Sequence, residues 1–152
     1  MRCIVQRVSH ASVTVNNEVV ASINIGLLVL VGITHADTMR ETSWMAEKLL
    51  SLRVFPDSEG KMNHSVVDIL GSVLLVSQFT LYGELAKGTR PSFIRAARPE
   101  TAKPLFEELV AAVKAKAPNI TVGSGVFGAM MDVELVNDGP VTIILEREAQ
   151  EL

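Results

Sequence analysis

The chain has 152 residues, of which 48% are hydrophobic and 20% charged, with a net charge of −3 and a mean hydropathy of +0.31. That length suits one domain, and an acidic balance is not the strongly basic footprint usual for a nucleic-acid-binding domain. No apolar run approaches the roughly 18 residues of a membrane span, so the surplus of apolar side chains points to a subunit interface.

The N-terminal residues Met1 to Arg7 enter a strand pattern at once and lack the apolar h-region of a signal peptide. Cys3 is the single cysteine, which excludes an internal disulfide. Both features favour the cytoplasm. Cys3 lies on this early strand with no nearby His and reads as a small buried hydrophobe rather than a nucleophile.

Val13 to Val15 and Val19-Val20 flank Asn16-Asn17-Glu18, the pattern of an N-terminal hairpin. Leu27 to Ile33 is nearly all apolar and predicts a central strand. Thr38-Met39-Arg40-Glu41 fits a capping box, and Met45, Leu49 and Leu52 then recur at helical spacing with Trp44 beside them. Arg53 to Phe55 predicts a short strand stopped by Pro56-Asp57, and residues 57–63 are polar and turn-like.

Ser72 to Phe79 predicts the next strand. Its carboxyl end turns polar at Ser77-Gln78-Phe79-Thr80-Leu81 and breaks at Gly83. Hydroxyls at such a strand end often only cap or turn the chain. α/β folds also place sites there, where amides just past the strand can face a developing oxyanion. The connection from Tyr82 to Ala97 is long, as functional or mobile connections are. Lys87, Arg90, Arg95, Arg98 and Lys103 make a local basic patch in and beside it. From charge alone this patch is as readily a solvated loop as a nucleic-acid contact.

A second helix is predicted from about Glu100 to Lys116, with Leu105, Leu109 and Val113 as its buried stripe. Two strands follow. Met131, Val133 and Leu135 alternate with Asp132 and Glu134, and Val141, Ile143 and Leu145 recur at the same period of two. Asn137-Asp138-Gly139-Pro140 joins them and reads as a turn between antiparallel strands. Gly139 lacks a side chain and Pro140 an N–H, so a carbonyl there can approach a ligand closely. The element order gives an α/β fold with a mixed sheet, an N-terminal hairpin, two main helices and antiparallel C-terminal strands. No linker divides residues 1–152.

The usual catalytic constellations are missing from the sequence. His10, His35 and His64 are scattered without metal-ligand spacing, and Ser77 is not in a Gly-x-Ser-x-Gly elbow.

Ser77 to Leu81 and Asn137 to Thr142 together resemble the two motifs of the D-aminoacyl-tRNA deacylases. Gln6-Arg7-Val8, Lys61-Met62-Asn63 and Val126-Phe127-Gly128-Ala129 are also similar to segments of that family, in the same order. The likeness runs from Met1 to about Glu146, leaving Arg147 to Leu152 as an extra tail. It implies a cytoplasmic homodimer that hydrolyses the ester of a D-amino acid, or of mischarged glycine, on tRNA without metal or cofactor. It places catalysis at Ser77, Gln78, Phe79 and Thr80, with the Phe79 and Thr80 amides as oxyanion donors and the tRNA 2′-hydroxyl assisting. Thr80 as a nucleophile is the competing reading of the same motif. It further implies a cis Gly139-Pro140 bond entering the partner's pocket to exclude L-amino acids, an orienting role for Arg7, and a pocket lined by Phe127, Gly128 and Met131. Arg7 as a surface arginine and Met131 as plain core are the structural alternatives.

Overall fold

A computed structural model describes residues 1–150. Its first strand, β1 (Arg2–Val15), turns through Asn16 and Asn17, both at positive φ, into β2 (Glu18–Ile23). These asparagines supply the φ > 0 that a two-residue hairpin needs. β1 is long enough to serve two neighbours along one edge. Its first half pairs antiparallel with β3 (Gly26–Gly32), and its second half pairs with β2.

After β3 comes α1 (Met39–Ser51), started by Thr38 and Glu41 as a full capping box. A small hairpin of β4 (Phe55–Pro56) and β5 (Met62–His64) follows. Then come β6 (Ser72–Ser77), α2 (Pro99–Lys116), β7 (Thr121–Ser124) and β8 (Asp132–Glu146). The main sheet has the order β2-β1-β3-β6-β7, with β8 on the other edge of β1. β3, β6 and β7 run parallel, while β1, β2 and β8 form the antiparallel part, so the mixed α/β sheet expected from the element order is present.

Apolar residues fill both faces of this sheet. On one face Leu27, Val29, Val73 and Leu75 pack against Met45 and Leu49 of α1 and Leu105, Leu109 and Val113 of α2. On the other, Val8, Val13, Leu28, Leu74 and Val76 form a second cluster. The sheet curls over that cluster, and a Cβ on Gly123 of β7 would lie 3.4 Å from the Ala21 Cβ of β2. The near-continuous apolar run of β3 follows from burial on both faces. Cys3 is fully buried; desolvation pushes its thiol up to about 12, which keeps it protonated and unreactive at neutral pH.

Several boundaries differ from the sequence expectation. β6 ends at Ser77, and Phe79–Tyr82 is a 3₁₀ turn instead of strand. The short strand is at Phe55–Pro56, not Arg53 to Phe55, and the segment after it returns as β5. β7 was not expected; Thr-Val-Gly-Ser is short and lacks a clear alternation. α1 buries Leu50, with Leu52 its C-cap residue and only partly buried.

The largest difference concerns residues 137–140. They do not turn the chain between two strands that pair with each other. Both flanks pair in line with β1, with Val8 opposite Asn137 and Gln6 opposite Thr142. Four residues of β8 therefore bulge out opposite Arg7. A period-two pattern on both sides of a Gly-Pro pair cannot separate a hairpin from a bulge, because alternation records faces and not partners. Beyond β8, the Arg147 amide donates to the Met1 carbonyl, and the Met1 ammonium donates to the Arg147 carbonyl and to Asp37. Of the tail expected over Arg147 to Leu152, residues 151 and 152 lie outside the described residues.

Candidate functional site

The carboxyl ends of β3 and β6 open into a cleft of about 700 Å³. Ser77, Gln78, Phe79 and Thr80 form one wall, and Phe127, Gly128 and Met131 form another. The Gln78 amide donates to the Val31 carbonyl at 2.7 Å, which continues the β3–β6 ladder one residue past the strand. The chain then winds into the 3₁₀ turn. Gly32 makes room for it, since a Cβ there would meet the Leu81 Cβ at 3.0 Å and the Tyr82 ring at 3.2 Å.

Tyr82 anchors the turn. Its ring is buried, with the Arg2 guanidinium 4.9 Å and that of Arg95 5.6 Å from its centroid, and Arg2 Nη1 also donates to the Leu81 carbonyl. Burial raises the phenol's pKa above its ordinary value and keeps it neutral. On the opposite wall, the Ala129 amide closes a turn onto the Val126 carbonyl at 3.2 Å. Gly128 takes φ +78° there, the conformation a type II turn requires at its third residue. The same turn sets the Phe127 ring against Phe106 of α2, with centroids 6.1 Å apart.

Two properties of the cleft bear on its chemistry. Among the described residues, the Phe79 and Thr80 amides donate to no protein acceptor, as expected for the first turn of a helix. The residues lining the cleft include no Asp, Glu, His, Lys or Arg. Its polar side chains are Ser77, Gln78 and Thr80, and the Thr80 hydroxyl already accepts from Gln78 Nε2. No side chain in the cleft can therefore act as a base toward Thr80. His35 and His64 are committed elsewhere, to the Ile94 carbonyl and beside Asp68.

Arg7, Gly139 and Pro140 do not line this cleft. They form a second cluster, at the bulge. Asn137 clasps its neck: Oδ1 accepts from the Val141 amide at 2.7 Å, and Nδ2 donates to the Val141 carbonyl and the Thr142 hydroxyl. Its side-chain amide thus replaces the backbone pairing that the excursion removes. Arg7, only 12% exposed, donates from Nε to the Asp138 carbonyl at 2.9 Å and from Nη1 to the Val54 carbonyl at 2.7 Å. The Gly139–Pro140 peptide bond is cis, and Gly139 has φ +147°. Arg7 is thus a partly buried brace of the bulge and not a loose surface arginine.

Sequence reasoning named the residues of both clusters but missed the Tyr82 anchor, Phe93, Ala96 and Met130. Tyr82 is the chain's single tyrosine and follows the hydroxyl-rich motif directly, which was the available signal. Met130 and Ala96 carried none.

A family model described as D-Tyr-tRNA(Tyr) deacylase matches residues 4–146. The chain is 55% identical to a D-aminoacyl-tRNA deacylase of Geobacillus sp. (strain WCH70), over 96% of this chain and 95% of that protein. It is 56% identical to one of Brevibacillus brevis, over 96% and 99% of the two chains. Among solved structures it is similar to the c-Myc DNA Unwinding Element Binding Protein, at TM-score 0.92 and 42% identity, covering 98% of this chain and 100% of that one. A match across nearly every element of the fold, motifs included, shows that this chain belongs to the D-Tyr-tRNA(Tyr) deacylase family.

Proposed function

We propose that the protein is a D-aminoacyl-tRNA deacylase: it hydrolyses the ester between a D-aminoacyl group and the 3′ end of tRNA, and clears glycine mischarged onto tRNA. The observation that carries this reading is a cleft lined by Phe79 and Thr80, whose backbone amides have no protein acceptor among the described residues, and by no ionisable side chain. An aminoacyl ester is already activated. Water adds to its carbonyl carbon, the oxyanion is held by the Phe79 and Thr80 amides, and the C–O bond to the ribose breaks with a proton passing to the ribose oxygen. One preorganised donor of this kind contributes about 10²–10³ in rate. With no base in the cleft, the adjacent 2′-hydroxyl of the RNA assists the water, and Thr80 positions instead of attacking.

Selection for handedness is assigned to the second cluster. Within one chain the bulge and the cleft are separate sites, so they act together when a second copy brings its bulge to the first copy's cleft. The unpaired edge of β8 and the apolar surplus support such a homodimer. There the carbonyls around Gly139-Pro140 hold the substrate amino group and occupy the space an L side chain needs. Specificity by exclusion demands a stiff wall, and the Arg7 brace and the Asn137 clasp supply it. Phe127, Gly128 and Met131 flank the substrate's adenosine and amino acid.

The test compares D-tyrosyl-tRNA with L-tyrosyl-tRNA. Rapid release of D-tyrosine alone is expected, and equal rates or no release would refute the proposal. A structure of two copies with residues 137–140 far from both clefts would refute the cross-subunit part alone.

A further inference from the structure

Residues 84–92 rise from the rim of the cleft as a pinched loop. The Glu84 and Ser92 backbones exchange two hydrogen bonds, of 2.8 and 2.9 Å, across its base. Arg95 locks that base to the site: its guanidinium pairs with Glu84 at 3.4 Å and lies over Tyr82. Phe93, which follows Ser92, lines the cleft and meets Phe79 edge to face at 5.1 Å. Both rings stay partly exposed, at 38% and 57%. The base is thus rigid, while the loop itself carries Lys87, Gly88 and Arg90, all exposed. Among the described residues Lys87 and Arg90 make no ion pair, although Arg2, Arg7, Arg95, Lys103, Lys116 and Arg147 do.

Charge is distributed in the same sense. Residues 84–103 hold five Lys or Arg and two Glu, a net +3 in a chain of −3, so the rest of the molecule carries −6. In a chain acidic overall, this segment carries the net positive charge that attracts a polyanion. Two unpaired cations beside exposed aromatic faces match the chemistry of a single-stranded RNA end, with phosphates met by charge and bases by stacking.

We infer that the loop 84–92 is the phosphate-binding element for the single-stranded 3′ end of the RNA, with Lys87 and Arg90 meeting the phosphates just upstream of the esterified nucleotide. Phe79 and Phe93 provide the stacking edge between loop and cleft. This rests on the deacylase reading above and adds how the polymer, as opposed to its terminal nucleoside, is engaged.

The test uses two substrates: D-tyrosyl-tRNA and D-tyrosyl-adenosine, which keeps the ester but has no phosphate. Lys87→Ala/Arg90→Ala should lower kcat/KM on the tRNA about tenfold, mostly through KM, and leave the nucleoside ester within twofold of the wild type. Each single-strand phosphate contact contributes about 0.7 to the slope of log affinity against log salt, so the tRNA slope should flatten by about 1.4. Between 50 and 200 mM salt the wild type should then lose about sevenfold more than the variant. Lys114→Ala removes an exposed cation near the far end of α2 and should not change the slope. An unchanged slope in the double variant would overturn the inference. So would equal losses on both substrates, since the loop would then act on the cleft and not on phosphate. A wild type that cleaves neither ester would instead sink the deacylase reading, and this inference with it.

Discussion

Thr80 has a hydroxyl that accepts from Gln78 and no base beside it. Thr80→Ala removes the hydroxyl but keeps the amide, and losing one neutral hydrogen bond costs about 1 kcal/mol. Single-turnover deacylation should therefore fall about fivefold and no more; complete loss in a folded variant would restore the nucleophile. Gly139 poses the opposite case. A Cβ there would sit 2.7 Å from Val141 Cγ2 and 2.8 Å from the Val141 amide nitrogen, at a φ of +147° that L side chains avoid. The methyl's first conflict is with its own bulge. Gly139→Ala should displace the bulge by a fraction of an ångström or more, and misplacement on that scale costs about 100-fold in turnover. Sedimentation should still find the homodimer proposed above, because the change is confined to the bulge. A fully active variant would remove the bulge from the site.

At the scale of elements, α1 begins with a reciprocal cap whose acid is buried. Burial opposes ionisation of Glu41. The Thr38 hydroxyl and amide, its own backbone amide and the nearby Arg147 outweigh burial, and its pKa falls below the ordinary 4.5. A carboxyl depressed in the folded state adds stability that is complete above its unfolded value and vanishes as pH drops through the folded one. Thermal stability should accordingly fall below about pH 4.5. Glu41→Gln should be less stable at pH 7 and show a shallower acid limb. Melting curves of both proteins between pH 3 and 7 decide it, and parallel limbs would show that the cap contributes nothing to acid sensitivity. β8 makes a different point about elements: it carries a four-residue bulge without losing its pairing on either side, because Asn137 supplies side-chain partners where β1 offers none.

Across the whole molecule, Met1 and Arg147 bring the first strand and the segment after β8 together. The Met1 ammonium and the Asp37 carboxylate are both fully buried, and Asp37 also accepts from the Thr34 amide at 2.8 Å. The Thr34 hydroxyl in turn donates to the Arg95 carbonyl, so this pair connects β1, the start of α1 and the cleft rim. Removing one partner of a buried pair costs about 3–5 kcal/mol, because the other charge stays desolvated. Asp37→Asn should lower Tm by about 10 °C, at the 2–4 °C per kcal/mol usual for chains of this size. A shift under about 2 °C would mean that water reaches the ammonium. No helix among the described residues is long and apolar enough to cross a membrane.

The residues themselves specified every feature that has a local period or a local partner. β3, β6, both helices and the α1 cap were legible because burial imposes an apolar run, a 3.6-residue stripe or a reciprocal Thr-Glu pair within a few positions. The motif residues of both clusters were legible too, through their resemblance to a family. Tertiary structure alone decided whom those segments meet. Arg7 braces a carbonyl 131 positions away, and residues 138–141 became a bulge only because both flanks found the same strand. The cleft's lack of ionisable groups emerged the same way, from walls contributed by β3, β6, α2 and β8 together. Alternation and capping are short-range and survive in any register. Register, bulges and the composition of a cavity depend on contacts between distant segments, which form only once the sheet has curled and closed its two cores.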